Sequence, residues 1–194
     1  MITDSTVCEI RARVETTVSP KRLRHIQGVV ALCDRLCRRF ALSPTAGAAA
    51  AWGHDLAREW PESDLLAWAL RDNESLDEEH RAHPVLLHGP AAAAVLRAEY
   101  QITDRDVLSA VRHHTLGRAG MSSLEMVLYV ADYCEEGRPF LTDELRAVPN
   151  DWSLPKMVLA VASDAGRRGF PIARRTTEMV ADLTQRLKET EAHV

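Results

Sequence analysis

The sequence predicts an all-α fold, a bundle of roughly seven to nine helices. Three observations carry that expectation. Apolar residues recur at helical spacing, Ser-Pro and other helix-start signals stand ahead of those stretches, and alternating apolar–polar runs of strand type are absent. The 194 residues suffice for one domain with a sizeable core. That single domain is expected over 1–194, with its body at about 20–175 and a C-terminal helix at about 175–190.

Met1 to Pro20 is polar, mixes both charge signs and has no apolar stretch of the kind a secretory signal carries. Ser19-Pro20 then reads as a helix cap followed by Pro in the first turn. The stripe Ile26, Val29, Val30, Cys33, Leu36, Cys37 and Phe40 continues that helix on one face. Ser43-Pro44 repeats the signal. Its helix is expected to run through the alanines to His54-Asp55 and to stop near Trp60-Pro61. A short helix follows around Ser63 to Arg71, and the charged stretch Asp72 to Arg81 reads as a loop or single turn. His83-Pro84 opens a helix from Val85 to about Ala98. Thr103 to Asp106 resembles a capping box for a helix holding Val107, Leu108, Val111 and His114 and ending near Gly117. Ser122 to Glu125 is a second capping box, and its helix carries Asp132 near the end, with Gly137 as the expected C′ residue. Leu154 to Arg168 and Arg175 to Glu189 complete the set.

Hydrophobic residues make up 46% of the chain and charged residues 27%, a soluble globular balance. The net charge of -4 gives no electrostatic footprint for nucleic acid or an anionic membrane. No run is long enough to span a bilayer, so the expected location is the cytoplasm. The four cysteines form no C-x-x-C pair, and Cys33 and Cys37, one turn apart on an apolar face, read as buried free thiols.

The chemistry gathers around His54-Asp55, which puts an imidazole beside a carboxylate. Alone the pair is unspecific, and any single histidine is more often a core or surface residue. His25, His88, His114 and Asp132 raise the count to six candidate ligands on five expected helices. Asp132 stands in an apolar helix face, where a carboxylate needs a partner. A mixed nitrogen and oxygen set in a bundle core favours Fe, Mn, Co or Zn. Six ligands suit two metals better than one, with Asp55 as the bridge, and such a pair supports hydrolysis at phosphorus. His113 points about 100° away from His114, so at most one of them faces the site. His80 and His193 lie in polar surroundings and are expected to be solvated, while His83 is either a cap or a pocket residue. Arg58 and Arg138 are the cations placed to hold phosphate, unless they are simply surface residues. Gly28 either admits a ligand to the backbone or marks a helix contact.

The strings Arg24-His25-Ile26-Gln27-Gly28-Val29, His54-Asp55-Leu56-Ala57-Arg58-Glu59-Trp60 and His83 to Gly89 occur in order with Ala110 to Gly117 and Tyr129 to Arg138. Together they resemble the HD-domain metal-dependent phosphohydrolases, and more closely their YqeK-type bacterial members. The resemblance covers roughly residues 20 to 175. It implies an HD-domain helical bundle and a symmetrical bis(5'-nucleosyl)-tetraphosphatase, which cuts diadenosine tetraphosphate into two ADP. The cofactor implied is iron, as one or two ions, with Mn, Co or Zn as substitutes. His25, His54, Asp55 and Asp132 would be metal ligands, and His88 and His114 would complete a second metal site or contact the phosphates. Asp55, His88 and His114 are then the candidate catalytic residues, through a metal-bound hydroxide attacking phosphorus. Gly28, Arg58, Thr115 and Arg138 would contact the nucleotide.

Two departures stand out. Arg58 replaces a common Lys, and the tail reads Phe170-Pro171-Ile172-Ala173-Arg174-Arg175-Thr176 without the family's Arg-Asn pair. Thr176 remains as a nucleotide contact, and Arg174 or Arg175 could supply a charge. The expected partner is therefore a dinucleoside polyphosphate or another nucleotide, with neither nucleic acid nor membrane involved, and a homodimer is an admissible assembly. The alternatives are an HD-domain nucleotidase or phosphodiesterase on another nucleotide, and a nucleotide-binding module without turnover.

Overall fold

Helix caps written in the sequence start most of the elements. The computed structural model describes residues 2–72, 74–149, 151–170 and 173–191. Among them are helices α1 (Asp4–Thr17), α2 (Pro20–Arg39), α3 (Pro44–Gly53), α4 (Glu62–Ala69), α5 (Glu78–Ala82) and, after a 3-10 turn at Pro84–Leu87, α6 (His88–Glu99). They continue with α7 (Arg105–His113), α8 (Ser123–Cys134), α9 (Asp143–Ala147), α10 (Leu154–Arg167) and α11 (Arg174–Glu191), and the described residues contain no strand. The fold is all-α, and among the described residues the helices longer than the five residues of α5 and α9 number nine, within the expected range.

The Ser19 hydroxyl accepts from Arg22 N–H at 3.2 Å, and the Ser43 hydroxyl accepts from Ala46 N–H at 3.2 Å. Glu125 closes the box on Ser122, accepting from its N–H at 2.7 Å. The cap of α7 is Asp104 rather than Thr103, because its carboxylate accepts from both Asp106 and Val107 N–H.

The α2 stripe Ile26, Val29, Cys33 and Cys37 is fully buried against α3 and α8. Alanines 49–51 and 91–93 are equally buried, and their small side chains let the helices approach closely. Gly89 takes this furthest: a Cβ there would lie 2.6 Å from the Arg112 carbonyl oxygen, so only glycine lets the start of α6 reach the end of α7. That contact sets His88 beside His114. Cys33, Cys37 and Cys134 are buried free thiols, and Cys8 is exposed. No helix among the described residues is long and apolar enough to cross a membrane.

Several boundaries differ from expectation. α1 is unforeseen, since only Ile10 and Val14 of its residues are buried. α3 ends at Gly53, before the His-Asp pair, and the chain passes through tight turns in which Leu56, Arg58 and Trp60 N–H each donate to the carbonyl three residues back. Pro84–Leu87 forms a 3-10 turn, so the α-helix there begins only at His88. Gly137 is not a helix-capping residue. α8 ends on Glu135 in extended backbone, and Gly137 has no positive φ.

Candidate metal centre

The six candidate ligands converge, and helix ends put them there. His25 lies in the second turn of α2 and Asp132 in the last turn of α8. His54 and His114 directly follow α3 and α7, and His88 is the first residue of α6. Carbonyls near a helix end lack an intrahelical donor. Three imidazoles supply one: His54 Nδ1 donates to Ala51 O at 2.7 Å, His114 Nδ1 to Val111 O at 2.8 Å, and His88 Nδ1 to Val85 O. A carbonyl oxygen can only accept, so the proton sits on Nδ1 and each Nε2 presents its lone pair to the centre.

Thr115 Oγ1 lies 3.3 Å from His114 Nε2, and otherwise these lone pairs meet one another and the acids. His88 Nε2 and His114 Nε2 stand 3.0 Å apart. Two neutral imidazoles in this tautomer repel unless a cation lies against both. His54 is fully buried and its Nε2 makes no hydrogen bond. Asp55 divides its oxygens between two groups. Oδ1 is 3.3 Å from His88 Nε2 and 3.8 Å from His114 Nε2, while Oδ2 is 3.4 Å from His54 Nε2 and 3.6 Å from His25 Nε2. Asp132 Oδ1 adds to the second group, 3.0 Å from His25 Nε2 and 3.9 Å from His54 Nε2. The result is two ligand groups, His25–His54–Asp55 and Asp55–His88–His114, sharing one carboxylate.

The electrostatics keep the donors ready. Burial alone would raise the Asp55 carboxyl, but His54 and His88 outweigh it and hold it well below the ordinary range. Asp132 is likewise held low, with His25 opposing its burial. Burial and the neighbouring His88 and His54 push His114 down to about 3, so its ring is neutral near pH 7. His25 goes the other way: burial lowers it, yet hydrogen bonds to Asp132 and Glu135 win and raise it. A metal ion there would displace the Nε2 proton.

A cleft of about 660 Å³ opens over the centre, within the range of small-molecule sites. Arg58, Thr115, Arg138 and Thr176 line it, together with His83, Arg22 and Arg174. His83 is thus a pocket residue and makes no side-chain cap bond. Arg138 Nη2 donates to Asp132 Oδ1 at 3.0 Å, and the Thr176 hydroxyl donates to Leu116 O at 2.9 Å. Gly28 is set apart from the cleft wall, where a Cβ would lie 2.5 Å from Glu135 Oε2. His113 turns away from His114, its Nδ1 accepting from Arg175 at 3.2 Å. His80 is buried and paired with Asp77 at 2.5 Å, contrary to expectation: Asp77 caps α5 and folds back on the ring. His193 lies outside the described residues.

Two residues in contact with the candidate ligands escape sequence reasoning. Arg22 Nη1 reaches Asp55 Oδ2 at 2.6 Å, and Glu135 Oε1 lies 3.2 Å from His25 Nδ1. Each stands three residues from a ligand on the same helix or its end, His25 and Asp132, and that spacing is the signal that could find them.

The HD domain family pattern matches residues 22–137, which include all six converging residues. A Bacillus subtilis protein named symmetrical bis(5'-nucleosyl)-tetraphosphatase is 35% identical over 142 residues, covering 71% of this chain and 74% of its own length. A Halalkalibacterium halodurans protein of the same name is 32% identical, covering 66% of this chain and 67% of its own. Among solved structures, one from Clostridium acetobutylicum is similar with a TM-score of 0.83 and 29% identity, covering 92% of this chain and 97% of that one. It is described as a predicted HD superfamily hydrolase involved in NAD metabolism.

Proposed function

The chain belongs to the HD domain family, a family of metal-dependent hydrolases, and from its site and the names of its relatives we propose that it cleaves diadenosine tetraphosphate symmetrically into two ADP. The observation that carries the metal chemistry is the pair of ligand groups meeting at Asp55, with His54 Nε2 buried and unbonded and the Nε2 atoms of His88 and His114 3.0 Å apart. This donor set fits two ions of the iron type. His25, His54, Asp55 and Asp132 would hold one, and Asp55, His88 and His114 the other. Such ions lower the pKa of water and polarise a phosphoryl oxygen.

The chain's own residues supply the rest. Arg58, Arg138 and Arg22 surround the mouth of the centre and neutralise the charge of a polyphosphate, which grows on the oxygens in the transition state. Thr115, whose hydroxyl lies 3.3 Å from His114 Nε2, orients a phosphate beside the same centre. Phe140, Phe170 and Ala162 give the cleft an apolar wall suited to a nucleobase. In the net reaction the oxygen of water bonds to one of the two central phosphorus atoms. The P–O bond to the bridging oxygen breaks, and both halves leave as ADP.

The relatives' printed names support this substrate. A second reading, hydrolysis of another nucleotide, is favoured by the cleft wall at Ala173, Arg174 and Thr176, which stands where the family's Arg-Asn segment is expected. One experiment separates them. Metals per chain are counted by elemental analysis, and the loaded protein receives diadenosine tetraphosphate and a panel of nucleotides, with products resolved by chromatography. The expected result is about one to two iron-type ions per chain and ADP as the sole product. Retained metal with no ADP moves the assignment to whichever nucleotide turns over. Absence of metal and turnover after reconstitution removes the hydrolase reading.

A further inference from the structure

Three of the four histidines are aimed by their own helix ends, but His25 is aimed by a carboxylate from elsewhere in the chain. Its Nδ1 lies 3.2 Å from Glu135 Oε1, while its Nε2 faces Asp132 and Asp55. Glu135, just past the end of α8, is buried. Its other oxygen accepts from Gly137 N–H at 2.6 Å, and Arg138 Nε stands 3.6 Å from Oε1. Two glycines leave the space this carboxylate fills. A Cβ at Gly28 would come within 2.5 Å of Oε2, and one at Gly137 within 2.8 Å. Gly28 sits inside α2, where almost any other residue would favour the helix more, so close packing against Glu135 accounts for it.

We propose that Glu135 is a positioning residue: held between Gly28 and Gly137, it binds the Nδ1 proton of His25, strengthens Nε2 as a ligand, and makes the His25–His54–Asp55 group the tighter of the two metal positions. This rests on the metal-dependent reading above. A carboxylate on Nδ1–H leaves more electron density on Nε2 than a backbone carbonyl does. The Asp55–His88–His114 group has only carbonyls behind its imidazoles. The first group also has Asp132 close by, so charge and basicity favour the same position.

Zinc ions serve as the probe. The full chain is loaded with zinc and dialysed against graded chelator, and zinc per chain is counted at each step. Wild type is expected to release zinc in two separate steps. Glu135→Gln, nearly the same size, should weaken the tighter step by roughly 10–100-fold while leaving the weaker step and the melting temperature of the metal-free protein unchanged. Gly28→Ala, which displaces the carboxylate without removing its charge, should weaken the same step. An unmoved tighter step in Glu135→Gln overturns the proposal, as does single-step release of both ions from wild type. A lowered melting temperature in metal-free Glu135→Gln with both steps weakened together would make Glu135 a structural residue and overturn it too. Wild type that takes up no zinc, iron or manganese removes the metal-dependent reading itself, and this inference with it.

Discussion

His113 and His114 are neighbours in sequence, yet they belong to two buried polar clusters that are wired in opposite ways. His114 faces the candidate metal centre, where its Nε2 stands 3.0 Å from that of His88 and the Nε2 of His54 makes no hydrogen bond. His113 faces a second cluster, in which Arg112 pairs with Asp72 and with Glu74 at 3.1 Å, His113 Nε2 lies 3.2 Å from Glu74, and Asp77 pairs with both Arg175 and His80. Both clusters contain histidine, acid and arginine, and in the second the side chains of Asp72, Arg112 and His113 are buried while Glu74 is exposed. In the second, arginines pair with the acids and tie Asp72, Glu74 and Asp77 to α7 and α11. In the first, Arg22 and Arg138 reach Asp55 and Asp132, but four imidazoles crowd the same two carboxylates and two of their Nε2 atoms face each other. Residue type does not separate a binding site from a structural clasp here; the pairing does.

Removing one carboxylate from each cluster should therefore break different properties. Asp55→Asn is expected to lower turnover by roughly 10³-fold or more and to lose metal, and it also lowers the stability of the metal-free protein by removing the partner of Arg22. Asp72→Ala should lower stability alone. It leaves the buried Arg112 with the exposed Glu74 as its acid partner, a loss of about 3–5 kcal/mol for a broken buried pair, read by denaturant unfolding, with zinc content unchanged. Equal effects of both variants on both readouts would erase the distinction.

Acid should separate His114 of the first cluster from Glu74 and Asp77 of the second along the pH axis of the metal-free protein. His114 is depressed from 6.5 to about 3, so the unfolded chain binds its proton first, and stability falls as pH drops from about 6.5 towards 3. Glu74 and Asp77 are depressed to about 2 from 4.5 and 3.8, chiefly by His113 for the first, and by His80 and Arg175 against burial for the second. Their contribution is complete above those ordinary values and is lost as pH falls towards 2. His114→Gln should flatten the upper slope and Asp77→Asn the lower one, measured as unfolding free energy against pH. Slopes that move together would contradict the separation. The smallest effect expected is that of Thr176→Ala at the edge of the cleft. It removes one hydroxyl bond to Leu116 O, about 0.5–1.5 kcal/mol in a melt, and should change turnover only a few-fold.

The same contrast explains what was legible in the sequence. Caps at Ser19, Ser43 and Ser122 and the α2 stripe announce their helices because those signals are local. α1 carries just two buried residues on a charged surface, and α9 has five residues, so neither shows a period. The run of alanines before His54 gives no hint that α3 stops at Gly53. The six converging residues could be read from their types and order. Arg22 lies in the string Lys21-Arg22-Leu23-Arg24, and Glu135 stands beside Glu136; only their three-residue spacing from His25 and Asp132 says which charge turns inward. His80 is hidden for the same reason, since its burial depends on Asp77 and on the packing of the loop around it.

The three carbonyl-bonded histidines also bear on the order of assembly. Each ring is oriented by a carbonyl three residues earlier, so its aim is set as soon as its own helix end forms, before any helices meet. His25 differs, because its orienting partner is 110 residues away and arrives only when α8 docks on α2. Contacts of such sequence separation are entropically costly to close and tend to form late. Any stability lost in Glu135→Gln should then be found in the unfolding rate, with the refolding rate unchanged, as expected if the aim of His25 is set late.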